Sequence, residues 1–244
     1  MKRLVPLLML LVALPSWAQR QFDVEVIIFK RNVNAERLDE SWPESLTPIS
    51  YRNTGTLSSA GYLSANGVSL LPHSMYQLNS QEQHLRNHAG FQVLLHTAWR
   101  QGDNGPSTAP SFHLLAGKDF STLYGPDGRE LTSSRIASSQ PLMEFEGKLQ
   151  IYVQHYLFAN AEFDLKEPST RKVELEETIA SYNAANDNTA TTQLGNLRAI
   201  QSTSETERFL KSYRLDQKRK MKSEEIHYFD HPLMGMVVQV RKVD

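Results

Sequence analysis

The sequence predicts an α+β fold: a largely antiparallel sheet with one or two short helices and long loops. Three observations predict it. Residues 22–29, 91–99 and 143–164 are dense in Val, Ile, Leu and aromatic residues with stretches of period-2 alternation, the pattern of half-buried and buried strands. Only residues 80–90 carry both helix start and helix stop signals. Gly and Pro, 12 and 11 in 244 residues, fall mainly in connecting stretches. With 40% hydrophobic and 22% charged residues the chain has ordinary globular composition, not that of a collagen, a coiled coil or a wholly disordered protein.

The elements follow in order. Phe22-Asp23-Val24-Glu25-Val26-Ile27-Ile28-Phe29 begins as alternation and ends as an unbroken apolar run, so its second half is expected to be covered on both faces. Residues 32–79 contain Pro43, Pro48, Pro72, Gly55, Gly61 and Gly67 and read as a long irregular stretch packed on the domain, anchored by Trp42 and Tyr51. Ser80 and Gln83 have capping-box spacing, opening a short helix to about Ala89 that Gly90 ends. Leu78, Leu85 and Ala89 can share its inner side, and its position between two strands suggests that it crosses one face of the sheet. Residues 91–99 form the next strand, and residues 112–115 a short one. Gly125-Pro126-Asp127-Gly128 is a turn. Residues 143–164 make the longest extended stretch, with Leu149, Ile151, Val153, His155 and Leu157 on the core side and Gln150, Tyr152, Gln154, Tyr156 and Phe158 on the other. Residues 183–206, rich in Asn, Thr, Ser, Ala and Gln and without aromatics, read as a flexible insertion within one domain spanning residues 19–244. Order resumes in a basic strand from Phe209 to Met221, and Pro232 and Gly235 turn the chain into a last strand, residues 236–243.

Residues 1–18 are expected to be a signal peptide. Lys2 and Arg3 precede an apolar run from Leu4 to Leu14, and Ser16-Trp17-Ala18 has the small residues of a cleavage site. Eleven apolar residues are too few to span about 30 Å of hydrocarbon as a helix. No later stretch approaches that length, so no membrane anchor is expected. Cysteine is absent, which removes disulfides, thiol nucleophiles, Cys-ligated metals and a lipoprotein anchor. Export without disulfides fits a bacterial periplasm. The net charge of −1, or −3 without Lys2 and Arg3, offers no bulk footprint for nucleic acid.

Several constellations could carry chemistry. His227-Tyr228-Phe229-Asp230-His231-Pro232 holds metal-ligand types, but in an extended segment the two histidines stand about 13 Å apart, too far for one ion. His96, His113 and His155 lie in or beside predicted strands. Neither a Gly-x-Ser-x-Gly elbow, a phosphate loop nor a dinucleotide fingerprint occurs. Glu144 and Glu146, two apart on a strand, read as solvent-facing rather than as a glycosidase pair. Arg214, Lys218, Arg219, Lys220 and Lys222 form a local basic run. Its plain reading is a solvated edge strand; its functional one is a docking strip in which Lys218, Lys220 and Lys222 share a side. Trp99-Arg100 and Tyr228-Phe229 could offer ring faces to a sugar. The candidate ligand-binding residues are therefore Lys218, Lys220, Lys222, Trp99, Arg100 and Tyr228, with no catalytic residue, metal or cofactor. A binding module is the leading reading, and a periplasmic, metal-dependent hydrolase using the histidines is the alternative.

Four blocks together carry a resemblance: residues 22–31, directly after the leader; Glu40-Ser41-Trp42-Pro43; residues 90–101, Gly-Phe-Gln-Val-Leu-Leu-His-Thr-Ala-Trp-Arg-Gln; and residues 227–235, His-Tyr-Phe-Asp-His-Pro-Leu-Met-Gly. In this order the chain resembles the CsiV family of periplasmic peptidoglycan-binding proteins. The resemblance implies a non-enzymatic factor that binds peptidoglycan and supports a class A penicillin-binding synthase through its outer-membrane lipoprotein activator. It carries no site residues with it.

Overall fold

The computed structural model describes residues 20–132, 139–175 and 203–243. The proposed leader therefore lies outside the described residues, as does most of the 183–206 stretch, whose residues 203–206 open a strand. The fold is α+β and mostly antiparallel. Among the described residues nine strands build it: β1 (Gln21–Arg31), β2 (Ser69–Leu70), β3 (Phe91–Gly102), β4 (Ser111–Asp119), β5 (Met143–Gln154), β6 (Tyr156–Leu175), β7 (Thr203–Met221), β8 (Ile226–Asp230) and β9 (Met234–Val243). The described residues also form the short α-helices α1 (Ala60–Ala65) and α2 (Asn79–Asn87). One sheet has the order β2-β3-β1-β9-β8 and the other β4-β5-β6-β7.

The chain divides into two compact units. The larger takes residues up to 118, 143–165 and 212–244. In it β1 is the central strand, antiparallel to β3 and β9, and both its faces are covered, as the apolar run predicts. Val24, Val26 and Ile28 join Trp99, Val238 and Val240 in a core shared with Phe145, Leu149, Ile151, Phe163 and Leu215 of the second sheet. On the opposite face Ile27, Phe29 and Val237 pack under Leu78 and Leu85 at α2. Close approach fixes Gly147 in β5, where a Cβ would stand 2.4 Å from the Phe163 ring and 2.8 Å from the Glu162 carbonyl oxygen. Gly117 adopts φ +82° directly against the buried Glu144. That carboxylate is not solvent-facing: it pairs with Lys30 of β1 and accepts the Lys118 N–H at 3.0 Å, tying the sheets together. The smaller unit, residues 119–142 and 166–211, packs Phe120, Tyr124 and Leu210 together with Leu142. There the Arg171 guanidinium lies 4.7 Å from the Phe209 ring centre and bonds Glu207.

Four further expectations are corrected. The 143–164 stretch is a hairpin: β5 and β6 pair back on each other, Gln154 opposite Tyr156. His155 takes the turn at φ +60° and is exposed rather than on the core side. No Gly, Asn or Pro announces that turn. Helix α2 begins at Asn79 with Leu78 as its N-cap and without a side-chain cap bond; Ser80 instead bonds Gln81. The carboxylate of Glu25, reaching from β1, accepts the N–H groups of Gln77 at 2.8 Å and Leu78 at 2.8 Å, so a residue far away in sequence does the work assigned to a local box. The stretch 32–79 is not wholly irregular, since it holds β2 and also α1, whose N-cap Ser59 accepts the Tyr62 N–H. Trp42 and Tyr51 nevertheless serve as its anchors, packing on Tyr213 and His113 respectively.

Candidate functional site

The outer face of the second sheet combines charge with aromatic rings. Tyr152 of β5 and Phe158 of β6 are cross-strand partners, stacked with ring centres 5.4 Å apart. These belong to the face that the alternation set opposite the core. Lys218 of β7 lies over both rings, 5.5 Å from the Tyr152 centre and 5.6 Å from the Phe158 centre. Two residues on, Lys220 places its ammonium 3.1 Å from the centre of Tyr156, a ring 56% exposed at the hairpin end. Period-2 geometry puts both lysines on this side. Arg219 points the other way, over Phe229 and onto the Tyr228 carbonyl oxygen, so that it covers the edge of β8. Among the described residues neither Lys218 nor Lys220 has a carboxylate partner.

Farther along the same face the charges are matched. Arg214 clasps Asp164 with two bonds of 2.8 Å and donates to the Thr47 carbonyl oxygen. Lys148 pairs with Glu162 at 2.9 Å. His113 bonds Glu146 at 3.0 Å, so Glu146 too is engaged, and Tyr51 stacks on the His113 ring at 3.8 Å. Burial, together with the nearby Glu146 and Asp164 carboxylates, pushes the Tyr51 hydroxyl far up. Residues 47–51 thus close one end of the face and leave the lysine end open.

The remaining candidates fall elsewhere. Lys222 lies past the end of β7, and its ammonium is matched by Glu225 at 3.2 Å, so it does not extend the strip. Trp99 is fully buried; its Nε1–H donates to Gln101, which bonds the Ile151 carbonyl oxygen. Its ring is core and offers no face to a sugar. Arg100 is spent on Asp23, with two bonds of 2.7 and 3.0 Å. Tyr228 is half-exposed, stacks on Phe29, accepts from Arg31 and donates to Asp230.

The histidines do not converge. His227 bonds the backbone of Lys222, while His231 is 9% exposed, its Nδ1 accepting the Leu233 N–H. Among the described residues no group of three or more His, Asp or Glu is spaced to hold a metal. His96 is locked beneath α2 between Glu25 at 2.9 Å and Glu82 at 2.8 Å. Arg241 completes this buried set with a 2.6 Å bond to Glu25. Burial alone would raise Glu25, but hydrogen bonds from His96, Gln77, Leu78 and Arg241 prevail and hold it at about 2. Burial would lower His96, and its two carboxylate partners outweigh that and raise it. Both ring nitrogens of His96 and both oxygens of Glu25 are bonded to other protein groups, which makes the set a structural brace. Glu25 was not singled out from the sequence; an acidic residue inside a strand apolar on both faces is the one signal that could have found it.

The arrangement defines a class: a two-sheet protein with an aromatic and cationic strip on one outer face and with buried His96 bonded on both ring nitrogens to carboxylates. A family model described as peptidoglycan-binding protein, CsiV, matches residues 3–243, and the chain belongs to that family. Its role is accordingly peptidoglycan binding, in the cell envelope. No curated protein and no solved structure matches the chain. No helix among the described residues is long and apolar enough to cross a membrane.

Proposed function

We propose that the protein is a non-enzymatic periplasmic factor that holds peptidoglycan on the strip formed by Lys218, Lys220 and Tyr156. In this reading it supports peptidoglycan synthesis by a class A penicillin-binding synthase and its outer-membrane lipoprotein activator. The observation that carries the strip is the Lys220 ammonium seated on the exposed Tyr156 ring, with Lys218 alongside and, among the described residues, no carboxylate opposing either charge. Peptidoglycan presents carboxylates on its stem peptides and apolar C–H faces on its sugars. Paired ammonium and ring groups meet both. The protein as a whole is acidic, so positive charge must be gathered locally to approach such a polymer. Export rests on the leader pattern of residues 1–18.

The supporting role has a direct test. Glycan polymerisation by a purified class A synthase with its lipoprotein activator is measured with and without the chain lacking its leader. A faster reaction that depends on the activator is expected. An unchanged rate at saturating protein would remove the synthase from the reading and leave peptidoglycan binding alone.

A further inference from the structure

Four buried side-chain atoms among the described residues have no hydrogen-bond partner, and they belong to neighbouring side chains: Arg31 Nε, Trp42 Nε1, Gln217 Oε1 and His231 Nε2. Arg31, at the end of β1, uses its other nitrogens on Tyr228 and Asp230. Gln217 of β7 donates its amide to the Asp230 carbonyl oxygen at 2.8 Å. The Trp42 ring stands 5.0 Å from the ring of His231, the residue after Asp230. Three of the four sequence blocks quoted above meet here: residues 22–31, 40–43 and 227–235. An orphaned buried polar group is costly, and four in one place call for a common explanation.

Their chemistry is specific. Because His231 Nδ1 accepts the Leu233 N–H, the ring proton belongs on Nε2, which is then a donor. Burial lowers the His231 pKa and keeps the ring neutral. The place therefore offers three N–H donors from Arg31, Trp42 and His231 and one acceptor from Gln217. Its net charge is zero, since Asp230 already matches Arg31 at 2.7 Å. A carboxylate would bring a second negative charge beside Asp230 and find no donor for its own side of the Gln217 contact. A secondary amide answers both kinds of group: its carbonyl oxygen has two lone pairs for two of the three donors, and its N–H fits Gln217 Oε1. The apolar wall is the Trp42 ring, edge-on to Tyr213 at 5.4 Å.

We infer that Arg31, Trp42, Gln217 and His231 form a recognition site for a secondary amide of peptidoglycan. Trp42 forms one wall of it: the residue is half-buried, and residues 38–50 around it form neither helix nor strand. Such an amide occurs in the acetamido groups of the sugars and in the bonds of the stem peptide. The site rests on the peptidoglycan-binding reading and adds neutral recognition to the charged strip on the opposite side of β7.

The test is an NMR titration of the isotope-labelled chain lacking its leader. Trp17 lies in the leader, so two indole N–H signals remain, from Trp42 and the fully buried Trp99. The probes are a tetramer of N-acetylglucosamine, the same tetramer without acetyl groups, and a free stem tetrapeptide. A saturable shift of the Trp42 signal with the acetylated tetramer but not the deacetylated one supports an acetamido site, and a shift with the peptide alone assigns the amide to the stem. His231→Asn keeps an acceptor for Leu233 and removes Nε2–H; it should weaken binding by roughly three- to tenfold. Trp42→Phe, followed by backbone signals, checks the same site should His231→Asn fold poorly. No shift with any probe, while the unmodified protein still sediments with sacculi, overturns the amide site and leaves peptidoglycan binding standing. Failure to sediment overturns the binding reading itself.

Discussion

Glu25→Gln probes the brace beneath α2 most sharply. The side chain is fully buried and takes bonds from Arg241, His96 and two backbone N–H groups. Glutamine keeps the shape but leaves Arg241, 7% exposed at its side chain, without its counter-charge. Breaking a buried pair from one side costs about 3–5 kcal/mol. For a chain of this size that lowers Tm by about 6–20 °C. The pH dependence gives an independent figure. Glu25 is held at about 2 against an ordinary 4.5, so the folded state binds fewer protons than the unfolded one as pH falls. At 1.36 kcal/mol per unit this carboxylate contributes about 3 kcal/mol, complete above about pH 5 and lost on descending to about pH 2. Urea unfolding of both proteins between about pH 2 and 7 is the assay. The stability of the natural protein should fall more steeply than that of the variant, by about 3 kcal/mol over the window, with the curves converging at the acid end. Parallel curves, or a variant within about 1 kcal/mol of its parent at pH 7, would refute the assignment. His96 acts with the opposite sign: its raised folded pKa stabilises fully below 6.5, and that contribution is lost as pH rises through the folded value.

Two further substitutions test the packing. Val153→Asp should cost several kcal/mol because Val153 packs against the main core, whereas exposed Gln154→Asp should stay within about 0.5 kcal/mol; equal losses in urea unfolding would show that both faces of the hairpin end are closed. Gly147→Ala should cost about 2 kcal/mol or more, since the new methyl meets Phe163 and the Glu162 carbonyl oxygen below 3 Å; an unchanged melting temperature would mean that β5 and β6 can part there.

What the sequence made legible was local. The run from Phe22 to Phe29 announced a strand whose second half is covered on both faces, and β1 is buried from Phe22 to Phe29. The alternation through Tyr152 and Phe158 marked the outer face that the lysines cover. The turn at His155 escaped because a single residue at positive φ carries no Gly or Asn signature. Trp99 looked like a platform because its burial depends on Phe112 and Gln101, not on its own strand pattern. Lys222 counted as part of the strip until the strand ended one residue before it. Glu25 with Arg241, and Trp42 with His231, are joined only by the fold: about 190 to 216 positions separate the members of each pair, and no local periodicity encodes such meetings.

The central claim is that the wall is held on the Lys218–Lys220 strip. It is tested most directly by sedimentation of the protein with purified sacculi at about 0.01 M and about 1 M salt, where the screening length falls from about 30 to 3 Å. The Lys218→Gln, Lys220→Gln double variant should bind less at low salt, keep its melting temperature, and differ little from its parent at high salt. Lys222→Gln, which removes a charge already matched by Glu225, should bind as the parent does. A folded double variant that sediments fully at low salt would contradict the claim.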